Sequence, residues 1–110
     1  MPHLIIEHSE NLNIPIAQLV QAVHQGAERT QLFDPATIKT RAIAYANYQL
    51  GGPHQGFIHV QAHIIAGRSL AQKQLLSDTL LNALHSVCGD EPLNLSVHPY
   101  DLEPEIYRKN

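Results

Sequence analysis

The sequence predicts an α+β fold: a duplicated β-α-β unit, in the order β-α-β-β-α-β, forming one four-stranded mixed sheet with two helices on one face. Three observations carry this. Residues 37–50 and 57–65 alternate between two side-chain sets, the period of a strand. Residues 15–29 and 69–88 repeat apolar side chains at three and four, the period of an amphipathic helix. The same succession of elements occurs twice, in pseudo-repeats of about 1–50 and 56–100, although residue identity between the halves is weak.

A chain of 110 residues, 44% of them hydrophobic, suits a single domain with a small core. The net charge of −3 and only seven Lys and Arg residues argue against nucleic acid, which requires a basic stripe. Absence of Trp and few aromatics argue against a base-stacking platform. No apolar run approaches the roughly 18 residues of a membrane span. No basic segment precedes the first strand, so no signal peptide is expected. A single cysteine, Cys88, excludes an internal disulfide and fits a reducing cytosol, so a cytoplasmic location is expected.

The first strand is the apolar run Leu4-Ile5-Ile6 within Met1-Pro2-His3-Leu4-Ile5-Ile6-Glu7-His8-Ser9. Proline stands directly behind the initiator methionine. If Met1 is removed, the chain begins with a secondary amine on a rigid ring. A strand starting there pins that amine in the fold instead of leaving it on a frayed end. A free α-amino group titrates near about 7.7–8.0, and burial lowers that value by disfavouring the cation. Pro2 is therefore a candidate general base at neutral pH.

Residues 11–15 are polar and turn-prone, and a helix follows from about 15 to 29, with Pro15 in its first turn. Its stripe is Ile16, Leu19, Val20, Val23 and Ala27, and Gly26 weakens it locally. Phe33-Asp34-Pro35 ends that unit. The second strand, 37–50, places Ile38, Thr40, Ala42, Ala44 and Ala46 on one face. Thr37, Lys39, Arg41, Ile43 and Tyr45 lie on the other. The small alanine face admits a closely packed helix. Gly51-Gly52-Pro53-His54-Gln55-Gly56 is a loop. The third strand, 57–65, separates Ile58, Val60, Ala62 and Ile64 from Phe57, His59, Gln61 and His63.

Ser69 is the expected N-cap of a helix running to about Cys88, with Leu76, Leu80, Leu84 and Val87 apolar and Gly89 as its stop. A fourth strand is expected over 93–100, then a polar tail over 101–110. Right-handed crossovers put both helices on one side of the sheet. The bare side carries mixed polar and apolar residues, which suits burial against other subunits.

Eight histidines raise the question of a metal. His59 and His63 stand four apart, but on a strand that is roughly 13 Å, too far to share one ion. Neither Cys-x-x-Cys nor His-Glu-x-x-His occurs, so no metal site is expected. Cys88 lies late in an apolar helix, where a thiol is inert, and no nucleophile elbow is present. Gly67-Arg68-Ser69 lacks the glycine spacing and lysine of a phosphate loop. Lys39 and Arg41 share a strand face at roughly 7 Å, and like charges so placed are unfavourable unless an anion joins them. Arg68 precedes a helix N-terminus, itself suited to anions. Lys39 and Arg41 read equally as charges guarding a sheet edge, and Arg68 as a solvated side chain. Taken with a terminal amine, the three cations suggest a substrate bearing several carboxylates.

Pro2-His3-Leu4-Ile5-Ile6-Glu7-His8-Ser9 with Asn11, Ile38-Lys39-Thr40-Arg41, Phe57-Ile58-His59-Val60 and Ile65-Ala66-Gly67-Arg68-Ser69-Leu70 resemble the 5-carboxymethyl-2-hydroxymuconate delta-isomerase family of the tautomerase superfamily. The resemblance reaches the tail Pro104-Glu105-Ile106-Tyr107-Arg108-Lys109-Asn110. It implies a single tautomerase-like domain over 1–110, a homotrimer, no cofactor, and an amino-terminal proline as base, matched here by Pro2. Arg68 matches a carboxylate-binding arginine. A second family arginine falls where this chain has Lys39, and Arg41 matches a further one. Lysine binds a carboxylate as a point charge without the guanidinium fork.

The implied activity is a cofactor-independent isomerase of aromatic (homoprotocatechuate) catabolism, acting on a small polycarboxylate. The alternatives are a tautomerase of another 2-hydroxydienoate or of a phenylpyruvate-type substrate, and a trimeric binding protein without turnover. The last gains if Met1 stays, because Pro2 nitrogen is then an amide.

Overall fold

The computed structural model describes residues 1–110. Six regular elements follow one another: β1 (His3–Ser9), α1 (Ile16–Arg29), β2 (Lys39–Tyr45), β3 (Gly56–Ile65), α2 (Leu70–Cys88) and β4 (Leu93–Leu102). The sheet order is β2-β1-β3-β4. Each β-α-β unit pairs its own strands in parallel, β1 with β2 and β3 with β4. The two units join antiparallel at the centre, where His3 faces His63 and Ile6 faces Val60. The expected duplicated β-α-β architecture is what forms.

Side-chain alternation decides which face is covered. Leu4 and Ile6 of β1 and Ile58, Val60, Ala62 and Ile64 of β3 are fully buried. They meet Leu19, Val23 and Ala27 of α1 and Leu76, Leu80 and Leu84 of α2 in one cluster. Each such large aliphatic side chain contributes about 1.5–3 kcal/mol. A one-residue slip of either central strand would turn its whole apolar set to the bare face, so register is tightly specified. Ile5 belongs to that bare face and is only half-buried.

Gly26 has a positive packing role that its low helix propensity conceals. A Cβ there would lie 3.2 Å from a methyl of Leu80 and 3.4 Å from Ala83 of α2, so its absence lets the helices cross closely. The start of α2 is fixed by a reciprocal cap: Gln72 N–H donates to Ser69 Oγ at 3.1 Å, and Ser69 N–H donates to Gln72 Oε1 at 2.8 Å. Gly89 closes the helix at φ 59°, a left-handed conformation open to glycine.

Three boundaries differ from the sequence expectation. The second strand is shorter at both ends than 37–50. Residues Pro35–Thr37 form a 3₁₀ turn, in which Asp34 Oδ1 accepts from Ala36 N–H at 3.1 Å. The ladder ends at Tyr45 because its only neighbour, β1, ends at the paired Ser9. The fourth strand runs two residues further, to Leu102, because β3 offers Ile64 and Ile65 as partners for Asp101 and Leu102. The segment after it is not a loose tail. It turns over 104–106, with Tyr107 N–H donating to Glu103 carbonyl at 3.2 Å, and returns to β1.

Candidate active site

The amino terminus lies at the seam between β1 and β2. Pro2 is fully buried just before β1, and its carbonyl accepts from Lys39 N–H at 3.0 Å. Met1 covers it. The Met1 amine donates to the Thr37 carbonyl at 3.4 Å, and Thr37 Oγ1 donates to the Met1 carbonyl at 3.1 Å. With Met1 in place the Pro2 nitrogen is an amide, and the basic group is the Met1 amine. Burial holds that amine below its ordinary value of 8.0; Lys39, Lys109 and Arg68 act in the same direction and Asp34 opposes them.

The cations expected from the sequence are separated into two settings. Lys39 Nζ donates to the Thr37 carbonyl at 2.9 Å, the same oxygen that accepts the Met1 amine. Arg68 leaves the turn before α2 and donates to the carbonyls of Ile65 at 3.2 Å and Leu32 at 3.0 Å. Its guanidinium stands 4.7 Å from the Phe33 ring centroid. These bonds use two of its five N–H groups and fix its plane, leaving donors for an anion. Arg68 is thus neither a freely solvated charge nor wholly committed to the fold.

Arg41 is turned to the bare sheet face, where it donates to His3 Nδ1 at 3.1 Å. Because arginine only donates, His3 Nε2 carries the proton and donates to Tyr107 Oη at 3.1 Å. Burial first, then Arg41 and Lys39, push the His3 pKa below 6.5, which keeps the ring neutral. A hollow of about 310 Å³ opens here, lined by His3, Ile5, Arg41, His63, Leu102 and Tyr107. A larger hollow of about 420 Å³ lies along the β2–β3 loop at Tyr48, Leu50 and His54, and no lysine or arginine lines it. The chemistry therefore points to the amino terminus, not to the larger space.

Beside the hollow, Glu7 accepts from Tyr45 Oη and, at 2.8 Å, from Gln61 Nε2. Gln61 Oε1 contacts His63 Nε2 at 2.9 Å, and His63 stacks on Tyr100 with ring centroids 5.1 Å apart. His59 bonds Ser96 Oγ at 2.7 Å instead of reaching His63. No three His, Cys, Asp or Glu side chains converge as a metal site would require. Cys88 is buried, and burial pushes its thiol pKa up, with Glu91 adding to the effect. No helix is long and apolar enough to cross a membrane.

Pro2, Lys39 and Arg68 are thus brought to the amino terminus, and Arg41 to His3. Sequence reasoning missed Tyr107, which lines the hollow and bonds His3. It lies in a stretch without periodicity, and only its polarity was legible.

Two parallel β-α-β units joined into one mixed sheet, with Pro2 directly ahead of the first strand, define a protein of the tautomerase fold. Solved structures share it. A 5-carboxymethyl-2-hydroxymuconate isomerase from Deinococcus radiodurans R1 superposes with a TM-score of 0.85 at 27% identity, over 99% of this chain and 88% of that one. A 5-carboxymethyl-2-hydroxymuconate delta-isomerase gives 0.82 at 18% identity, over 100% and 87%. A fused 4-OT wild type asymmetric trimer gives 0.79 at 20% identity, over 98% and 92%. No curated protein sequence matches significantly. The family model for 5-carboxymethyl-2-hydroxymuconate isomerase matches residues 2–110, and the chain belongs to that family.

Proposed function

We propose that this protein, once Met1 is removed, converts 5-carboxymethyl-2-hydroxymuconate to its 2-oxo isomer with Pro2 as the proton carrier. The observation that carries this reading is the buried Pro2 beneath a terminal amine whose pKa is lowered by burial and by cations. A Pro2 amine exposed in that setting would be subject to the same burial and the same neighbouring cations, which favour its neutral, basic form. It takes the proton of the 2-hydroxyl group, the electron pair moves along the diene, and the protonated proline returns the proton to the distal carbon. The product is the conjugated 2-oxo-enoate, with no change in composition and no cofactor. Arg68 and Lys39 bind carboxylates and stabilise the dienolate as its charge develops. Arg41 acts at one remove, through His3.

The same reading makes the protein a homotrimer. The bare sheet face holds Ile43, 52% exposed, beside the Glu7–Tyr45–Gln61 network. Three sheets facing a common axis would cover those groups equally. The family suits a role in homoprotocatechuate catabolism in the cytoplasm. The test of the reaction is direct: Met1-free protein is mixed with 5-carboxymethyl-2-hydroxymuconate, and loss of dienol absorbance is followed with product identified by NMR. Turnover with incorporation of solvent deuterium at the distal carbon supports the reading. No acceleration over buffer contradicts it.

A further inference from the structure

The end of the chain returns to its beginning. After Leu102 the backbone turns, with the Ile106 and Tyr107 N–H groups both donating to the Glu103 carbonyl at 3.2 Å. That turn lays Tyr107 against His3, the two rings edge to face with centroids 6.1 Å apart. Both side chains are half-buried, and both line the hollow of about 310 Å³.

Three side chains of that wall form a hydrogen-bonded series whose direction is fixed. Arg41 can only donate, so the proton it offers to His3 Nδ1 at 3.1 Å meets a lone pair. The neutral His3 ring then carries its proton on Nε2 and donates it to Tyr107 Oη at 3.1 Å. Tyr107 Oη is therefore an acceptor towards His3, and its own O–H is left over to donate. His3 is the one partner that Oη meets in the chain. A hydroxyl that accepts from such a series is polarised and becomes a better donor. Ile5 and Leu102 make the rest of the wall aliphatic, and His63 holds Gln61 Oε1 through Nε2 at 2.9 Å. Tyr107 and Arg41 are thus the free donors of the hollow, and the Arg41 charge favours an anionic acceptor over a neutral one. The hollow begins beside the proposed base, because His3 follows Pro2 directly, with Cα atoms about 3.8 Å apart.

5-Carboxymethyl-2-hydroxymuconate carries three carboxylates, two from muconate and one from the carboxymethyl group. Arg68 and Lys39 answer two of them. We propose that the Tyr107 hydroxyl donates to the third carboxylate in this hollow, and that His3 and Arg41 are positioning residues that aim it there. The inference rests on the muconate isomerase reading above and names the residue that distinguishes a tricarboxylate from a dicarboxylate.

The experiment compares Met1-free wild type with Tyr107→Phe, His3→Leu and the double variant. The substrates are 5-carboxymethyl-2-hydroxymuconate and 2-hydroxymuconate, which lacks the third carboxylate. Tyr107→Phe keeps the ring that packs on His3 and removes only the hydroxyl. It is expected to raise KM for the tricarboxylate by about five- to twentyfold with kcat unchanged, and to raise KM for the dicarboxylate far less. His3→Leu should show the same selectivity. In the Tyr107→Phe background it should add less than about twofold, because His3 acts through the hydroxyl. A merely structural role would lower kcat/KM for both substrates alike. A loss on the dicarboxylate as large as that on the tricarboxylate, no loss on either, or additive effects in the double variant would overturn the role of Tyr107 while leaving the isomerase reading intact. A wild type that does not turn over the tricarboxylate overturns both.

Discussion

Met1 and Lys39 donate to the same oxygen: the Thr37 carbonyl accepts the terminal amine at 3.4 Å and Lys39 Nζ at 2.9 Å. Two cations sharing one acceptor repel each other, and the amine, which can lose its proton, is the group that yields. In the Met1-free protein, Lys39→Gln removes a positive charge beside the amino terminus, so the pKa of the Pro2 amine should rise. The acidic limb of the pH profile of kcat/KM, which reports the free amine, should then move to higher pH. Arg41→Gln should leave that limb in place, because Arg41 faces His3. Identical profiles for the two variants would refute the separation of these cations.

Arg68 has two tasks that substitution can divide. Arg68→Ala removes its bonds to Leu32 and Ile65, its place over Phe33, and its charge. A loss of about 1.5–3 kcal/mol in kcat/KM is expected, the range for hydrogen bonds to charged groups, together with a lower Tm. Arg68→Lys keeps the charge but not the fork. It should recover part of the activity and little of the stability. Unchanged kcat/KM in Arg68→Ala would remove this residue from the substrate site.

Acid should weaken the fold through Glu7. Its hydrogen bond from Tyr45, ahead of that from Gln61, lowers its carboxyl pKa below 4.5 in the folded chain, although burial opposes this. The folded state then binds fewer protons than the unfolded one, so the contribution is complete above pH 4.5 and is lost as pH falls through the lowered value. Thermal unfolding followed by circular dichroism should show Tm falling below pH 4.5. Glu7→Gln should flatten that fall. A parallel fall in the variant would assign it to other carboxylates.

The bare sheet face should be an interface. Light scattering is expected to give a trimer mass, and Ile43→Glu, which introduces charge on that face, should shift the population towards smaller species and lower activity per chain. A fully active monomer at micromolar concentration would contradict both the trimer and any sharing of a site between chains.

Much of the fold was legible because its determinants are local. The alternation of Ile58, Val60, Ala62 and Ile64, the Ser69 cap and the Gly89 stop each act within a few residues of themselves. The end of β2 was not legible, because it depends on where β1 ceases to offer a partner. Gly26 shows the same limit: its value lies in Leu80 and Ala83, on another helix.

At the candidate site, the place of Pro2 directly ahead of β1 was legible from its position in the chain. The separate surroundings of Lys39 and Arg41 were not, because alternation puts them on one face and only side-chain reach divides them. Tyr107 meets His3 across nearly the whole chain, and no local pattern announces such a contact.

The central claim is that the Pro2 amine, freed of Met1, is the base. The most direct measurement is kcat/KM on 5-carboxymethyl-2-hydroxymuconate for two preparations that intact mass shows to be free of Met1 or to retain it. Pro2→Ala serves as a third preparation, in which the amine remains but is primary and less constrained. The account predicts full activity only without Met1, a severalfold or greater loss in Pro2→Ala, and a still larger loss when Met1 makes the Pro2 nitrogen an amide. Full activity in protein that retains Met1 would contradict it.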